Sequence, residues 1–226
     1  MAGDAEAVGE SGRRLVQRPA LEVVELTPAL RGEAVNVLAA AFLHDPAWVA
    51  IGPGAAAARL RLLRRYYDIL IGEALRWGGP HRCALSAGTV VGVALTYDDG
   101  TQFPPPYATL REARPFVLAG PGPALRSAYV DHVMKGAHPH EAHLLLWYLA
   151  AHPDVQRQGV GRALMQAVLD DAECQELPIY LDTTKRENLD YYGAFGFRPT
   201  GEARLPRNAR VWFLRRDRDG SRPSRA

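Results

Sequence analysis

The chain has 226 residues, a hydrophobic fraction of 47%, a charged fraction of 23% and a net charge of +2, which is the profile of a globular protein large enough for one well-filled core. So small a net charge argues against nucleic acid as a partner, and no apolar run reaches the length of a membrane span. The two cysteines, Cys83 and Cys174, form no C-x-x-C, which argues against a disulfide framework or a thiolate zinc site and suits a reducing cytoplasm.

Residues 1–20 lack periodicity and carry Asp4, Glu6 and Glu10 ahead of any arginine, so they read as a disordered tail and not a secretory signal. Residues 217–226 read the same way, leaving 21–216 as a single domain without repeats or linker-like breaks. A short strand at Leu21–Leu26 precedes Thr27-Pro28, a cap followed by proline at the first helical position. Leu30, Ala34, Val37, Leu38, Ala41 and Phe42 continue at helical spacing. His44-Asp45-Pro46 reads as a break, followed by a loop through Gly52-Pro53-Gly54. A second helix spans about Ala57 to Trp77, with Leu60, Leu63, Tyr67, Leu70 and Ala74 inward and its arginines, the cluster Arg59, Arg61, Arg64 and Arg65, outward.

Two strands, Arg82–Ala87 and Thr89–Tyr97, meet at Gly88, and a Pro-rich loop extends from Asp98 to Pro106. Helices are expected near Ala108–Leu118 and Ala124–Lys135, and the second could serve dimerisation. A strand from about Ala142 to Ala151 then runs into the turn HPDVQRQGVGRAL, His152 to Leu164, and a helix with Val160, Leu164, Met165, Val168 and Leu169 on one face. The remainder reads as a strand at Pro178–Asp182, a short helix at Asn188–Phe195 and strands at Phe197–Ala203 and Ala209–Arg215.

A strand, a tight glycine turn and a helix aim unpaired backbone N–H groups at one point, the geometry of an anion site. A P-loop requires G-x-x-x-x-G-K-[ST], which is absent. A dinucleotide fingerprint requires a third glycine where Leu164 stands, and an early place in a βαβ unit. What remains is Gln156-Arg157-Gln158-Gly159-Val160-Gly161, a Q-x-x-G-x-G pattern, and downstream a second signature, Asn188-Leu189-Asp190-Tyr191-Tyr192-Gly193-Ala194-Phe195-Gly196-Phe197.

With these two motifs the chain from about Leu21 to Arg216 resembles the GNAT superfamily of acyl-CoA-dependent N-acyltransferases. The resemblance implies an α/β (α+β) fold whose mixed, mostly antiparallel sheet is flanked by helices and splayed between its two central strands. It implies acetyl-CoA as co-substrate, its pyrophosphate held by Gln156, Arg157, Gln158, Gly159, Val160, Gly161 and Arg162. Leu149, Ala150 and Ala151 would offer backbone groups to pantetheine, Asn188 and Tyr191 would lie near it, and Tyr192 would sit beside the sulfur as general acid. Tyr191 and Phe195, four apart, also suit plain core packing. Within the superfamily the likeness is greatest to the puromycin N-acetyltransferase-like branch, through Ala41-Phe42-Leu43-His44-Asp45-Pro46, the H-x-x-L-x-x-L strand from His143, and Tyr180-Leu181-Asp182-Thr183-Thr184. That branch usually has Glu where this chain has Asp182, and Gly193-Ala194 replaces a charged pair.

The implied reaction is acetylation of an amine on a small molecule by direct attack on the thioester. Acetylation of a protein N-terminus or lysine, or acyl-CoA binding without turnover, are the alternatives. Many relatives carry a central-strand Glu as base, where this chain has Leu146-Trp147-Tyr148. His143, Glu141, Asp182 or a water chain therefore remain as candidates. The acceptor pocket is expected between the Asp45-Pro46 loop, Trp48, the Asp98–Pro106 loop and Trp147 or Tyr148. His138, His140, His143 and His152 match no zinc spacing, so no metal is expected. Cys174 reads as a packed thiol, the location as cytoplasmic, and the assembly as monomer or homodimer.

Overall fold

The computed structural model describes residues 20–98 and 106–218. Residues 1–19, 99–105 and 219–226 lie outside it, and with them most of both expected tails and most of the expected Asp98–Pro106 pocket wall.

Strand β1 (Leu21–Glu25) leads through a 3-10 turn at Pro28–Leu30 into helix α1 (Arg31–Ala41). Helix α2 (Pro46–Ile51) and the long helix α3 (Ala56–Trp77) come next, then the hairpin of β2 (Arg82–Ser86) and β3 (Thr89–Asp98). Two helices, α4 (Pro106–Leu118) and α5 (Pro121–Ala137), stand between β3 and β4 (Leu144–Ala151). The chain closes with α6 (Val160–Cys174), β5 (Ile179–Thr183), α7 (Asn188–Gly193), β6 (Arg198–Arg204) and β7 (Arg210–Arg216). The seven strands form one sheet in the order β1-β2-β3-β4-β5-β7-β6, antiparallel except where β4 lies parallel to β5.

Hydrophobic side chains cover both faces of this sheet. Leu38 and Ala39 of α1 and Leu63, Tyr67, Leu70 and Ile71 of α3 pack on one face, and Phe116 and Val130 of α4 and α5 join the same cluster. Leu164, Met165 and Val168 of α6 pack on the other, with Leu144, Leu146, Leu181 and Tyr192. Alternate residues of β4 and β5 thus feed opposite cores, as period-two side chains must.

Two local expectations are corrected. Asp45-Pro46 does not open a loop but starts α2, because Asp45 accepts a hydrogen bond from Ala47 N at 2.9 Å and Pro46 occupies the first turn. Arg59 does not face outward. It is 5% exposed and donates to Leu43 O at 2.7 Å, Pro53 O at 2.9 Å and Gly54 O at 3.2 Å. Its inward place is consistent with helix geometry, since 59, 63, 66 and 70 share one stripe. The carbonyls it bonds lie on both sides of α2, and a guanidinium can reach several at once from its fixed fork of donors.

Candidate active site

The central feature is a parting of β4 from β5. They pair only from Leu144↔Ile179 to Leu146↔Leu181, and beyond that β4 continues to Ala151 bonded to β3 alone. A bulge causes this. Leu95 opposes Tyr148 while Thr96 opposes Leu146, so Trp147 is an extra residue in β4. A bulge bends its strand and resets which groups face each neighbour. Leu144 N bonds toward β5, at Pro178 O, whereas beyond the bulge His152 N bonds toward β3, at Val91 O. By alternation the N–H groups of Leu149 and Ala151 therefore face the open side. The bulge also turns Trp147 and Tyr148 to the same face, toward the α1 and α3 core.

The open side leads to the glycine turn. Gly159 takes φ 93°, ψ −7° at the start of α6, a left-handed conformation that glycine adopts without steric cost. Ala163 N is the first amide bonded back into the helix, to Gly159 O at 2.9 Å, which leaves the N–H groups of Val160, Gly161 and Arg162 open. A Cβ at Gly161 would lie 3.1 Å from the Tyr191 hydroxyl, so a side chain there would crowd Tyr191. The Tyr191 hydroxyl is itself buried with no hydrogen-bond partner among the described residues. Arg157, Gln158 and Arg162 are exposed, and Gln156 reaches back to Ala151 O at 3.5 Å. Open amides, exposed cations and an unpartnered hydroxyl together make a fitting seat for a pyrophosphate and the arm attached to it.

At the mouth of the parting stand two carboxyl groups. Asp182 is the first β5 residue beyond the pairing, on the same side as Tyr148. It is recessed among protein atoms yet keeps some accessible surface, and burial, reinforced by the Asp45 charge, pushes its pKa up to about 7. Asp45 is 6% exposed and also raised by burial, against the opposing pull of the Thr184 hydrogen bond. Thr184 Oγ1 donates to both Asp45 oxygens, at 2.9 and 3.0 Å. Thr183 Oγ1 accepts from Asn188 Nδ2 at 2.9 Å, so Asn188 fixes the turn from β5 into α7.

That turn places Tyr192 within the α6-side core, 7% exposed, its ring against Tyr191 and Phe197. Burial, and then the charges of Tyr191, Asp182 and Asp45, raise its pKa well above the ordinary phenol value, keeping the proton on oxygen. Tyr191 and Phe195 meet edge to face at 5.2 Å, as their spacing predicts.

The other base candidates stand elsewhere. Glu141 is exposed and paired with Arg215. His143 is 1% exposed before the paired end of β4, its Nδ1 2.8 Å from Glu141 O and its ring beside His138 and Tyr180. Trp48, Tyr66, Tyr67, Phe42 and Tyr148 form an aromatic wall near the carboxylates, with Tyr66 and Tyr148 hydroxyls 3.2 Å apart. Cys174 is exposed at the end of α6, not packed as expected. Sequence reading does not find the Thr184–Asp45 pairing or the inward Tyr66, because no spacing rule joins residues 139 positions apart.

Residues 127–199 match the model of the acetyltransferase (GNAT) domain family. That span contains the bulged strand, the glycine turn, Asp182 and Tyr192. A histone acetyltransferase and related acetyltransferase from Corynebacterium glutamicum has the same fold at 22% identity, with 87% of this chain and 95% of that chain covered and a TM-score of 0.61. The C-terminal condensation domain of Ebony, in complex with beta-alanyl-dopamine, matches at 12% identity, 88% and 99% coverage and a TM-score of 0.61. The polyamine N-acetyltransferase of Drosophila melanogaster matches at 16% identity, 87% and 98% coverage and a TM-score of 0.53. The fold is that of the GNAT acetyltransferases, with a mostly antiparallel seven-stranded sheet flanked by helices.

Proposed function

We propose that the protein is an acetyl-CoA-dependent N-acetyltransferase that acts on an amine of a small molecule. The observation that carries this is the parting of β4 and β5 directly beside the recessed Asp45–Asp182 pair. When bound, acetyl-CoA supplies an activated thioester and a thiol leaving group. The open amides of Val160, Gly161 and Arg162, with Gly159 shaping the turn, and the side chains of Gln156, Arg157, Gln158 and Arg162 hold its pyrophosphate. Leu149 and Ala151 amides, with Ala150 between them, bind along the pantetheine arm, and one donates to the carbonyl oxygen as charge develops there. Asn188 holds the turn that presents Tyr191 and Tyr192 to the cofactor.

Asp182 accepts the proton of the incoming ammonium. A carboxyl raised to about 7 stands much closer to an amine in basicity than an ordinary aspartate does. Tyr192 donates to the departing sulfur. A thiol with a pKa of about 8.5 leaves tolerably without help, so Tyr192→Phe should lower kcat about tenfold without abolishing it. A loss below about threefold would remove the general-acid role.

The likeness to the puromycin N-acetyltransferase-like branch gains support from one contact. Asp45 of the Ala41–Pro46 motif accepts the Thr184 hydroxyl of the Tyr180–Thr184 motif. Two unbridged cysteines support a cytoplasmic location. Thiol release from acetyl-CoA, monitored with a library of small amines and with peptides, tests the whole reading. Product with small amines supports it, product only with peptides replaces the acceptor class, and binding without turnover makes the protein an acyl-CoA sensor.

A further inference from the structure

A groove of about 290 Å³ crosses the outer side of α3, and the reaction outlined above makes no use of it. Helix α1 contributes Arg31 to its walls, α4 contributes Arg111 and Arg114, and α3 contributes Arg76, with Ile69 and Gly72 between them. The volume stands at the lower end for ligand pockets, roughly 300–1,000 Å³, so it suits a small group. Four guanidiniums here meet two carboxylates. Arg31 pairs with Asp68 at 2.9 Å, while Arg111 and Arg76 share Glu73 at 2.7 and 3.8 Å. Arg114 makes no ion pair among the described residues. The groove therefore keeps two positive charges in excess of the carboxylates that it pairs with.

Two of these cations are fixed in place. The Arg31 guanidinium donates from Nη2 to Asp68 O at 2.8 Å and lies against α3 where Gly72 has no side chain. A Cβ at Gly72 would stand 3.0 Å from Arg31 Nη2 and 3.2 Å from Arg31 Cζ, so glycine is what lets the guanidinium settle there. Glu73 is 4% exposed, and it holds Arg111 Nη1 with one oxygen while the other accepts from Trp77 Nε1 at 3.4 Å. A guanidinium carries five N–H donors, and these pairs engage one nitrogen each of Arg31 and Arg111. Arginine keeps its charge at every physiological pH and matches phosphate oxygens with a planar fork, where lysine offers a single mobile point charge. All four cations of this groove are arginines.

We infer that this groove is a second anion site, separate from the glycine turn, and that it takes a small group bearing two phosphates. The excess of two positive charges, drawn from three helices around one recess, matches a diphosphate better than a single phosphate. The test is calorimetric titration of inorganic pyrophosphate into the CoA-saturated protein, so that the glycine turn is already filled. Salt is kept at about 0.15 M, where exposed charges more than about 8 Å apart are largely screened. One pyrophosphate should bind per chain, at least about tenfold more tightly than inorganic phosphate. Arg114→Ala and Arg31→Ala should each weaken it about tenfold, the effect of one charge-assisted contact. Arg114→Ala breaks no ion pair of the described residues, so it keeps the test valid if the Arg31 variant does not fold. Arg64→Ala removes an exposed cation of α3 outside the groove and should leave the affinity unchanged. Absence of a second binding event, equal affinity for phosphate and pyrophosphate, or an Arg64→Ala loss as large as that of Arg114→Ala overturns the site. ADP bound as tightly as pyrophosphate assigns the group to a soluble nucleotide. Retention on vesicles containing phosphatidylinositol bisphosphate, lost in Arg114→Ala, assigns it to a lipid headgroup. None of this depends on the acetyl-transfer reading. If CoA does not bind, the same titration of the free protein still reads the groove through the Arg114→Ala loss.

Discussion

Asp182→Asn should lower kcat by about two to four orders of magnitude while leaving acetyl-CoA affinity unchanged, the loss expected when a general base is removed. Asparagine keeps the shape and takes away the proton acceptor. The pH profile carries the more specific signature. Asp182 must be ionised to accept a proton, so parent kcat/KM should rise as pH rises through about 7, where burial and Asp45 place its titration. Asp45→Asn removes the neighbouring negative charge and should move that acidic limb to lower pH. Burial is the larger cause, so the limb should stay above the ordinary aspartate range.

Stability supplies an independent check of sign. An aspartate whose pKa rises from about 3.9 in the unfolded chain to about 7 when folded binds more protons in the folded state between those values. Stability from this group is thus present below the unfolded pKa and is lost as pH rises through the folded one. Asp182→Asn should therefore be more stable than the parent at pH values of about 8, with the difference shrinking toward about 4. Thermal melts across that range measure it. A variant with more than about a tenth of parental kcat and an unmoved acidic limb would exclude Asp182 as the base.

Gly92→Ala should destabilise the fold and weaken acetyl-CoA binding together. A Cβ at Gly92 would lie 2.5 Å from Val160 Cγ1, 2.9 Å from Leu164 Cδ1 and 3.1 Å from Ala150 O. No rotamer change clears all three, because Ala150 O is backbone and Val160 is the first residue of α6. Overpacking of this kind costs about 1–3 kcal/mol, a fall in Tm of roughly 2–12 °C for a chain of this size. The same contact would push the start of α6 away from β3 and carry the amides of Val160, Gly161 and Arg162 out of line. Val160→Ala added to Gly92→Ala removes the tightest contact and should recover part of both losses, a coupling that two independent sites would not show. An unchanged Tm in the single variant would mean that α6 does not rest on Gly92 as described.

Much of this architecture is legible in the amino-acid sequence, and for local reasons. Helix periodicity and the alternation along β4 locate elements because each reflects interactions within a few residues, whereas the expected Thr27 cap does not form, since its side chain makes no cap bond and Pro28 opens a 3-10 turn ahead of α1. The glycine turn is legible too, since Gly159 must adopt a positive φ and Gly161 must leave room for the Tyr191 hydroxyl. Asp45-Pro46 shows the limit of such reading. The same two residues can end a segment or cap a new one, and only burial of Trp48 and Ile51 makes the cap worthwhile.

Charge placement is a matter of long-range packing. Arg59 and Asp182 read in sequence as one solvated cation and one base candidate among several. Three backbone carbonyls on either side of α2 hold the first inward, and a second carboxylate from a distant segment, Asp45, helps to raise the pKa of the other. The turn that can grip an anion is set by the order of residues alone, because it depends on glycine and on helix direction. Which carboxyl groups are free to take a proton or a cation is left to the fold, because desolvation and pairing depend on neighbours that the chain brings together from far apart.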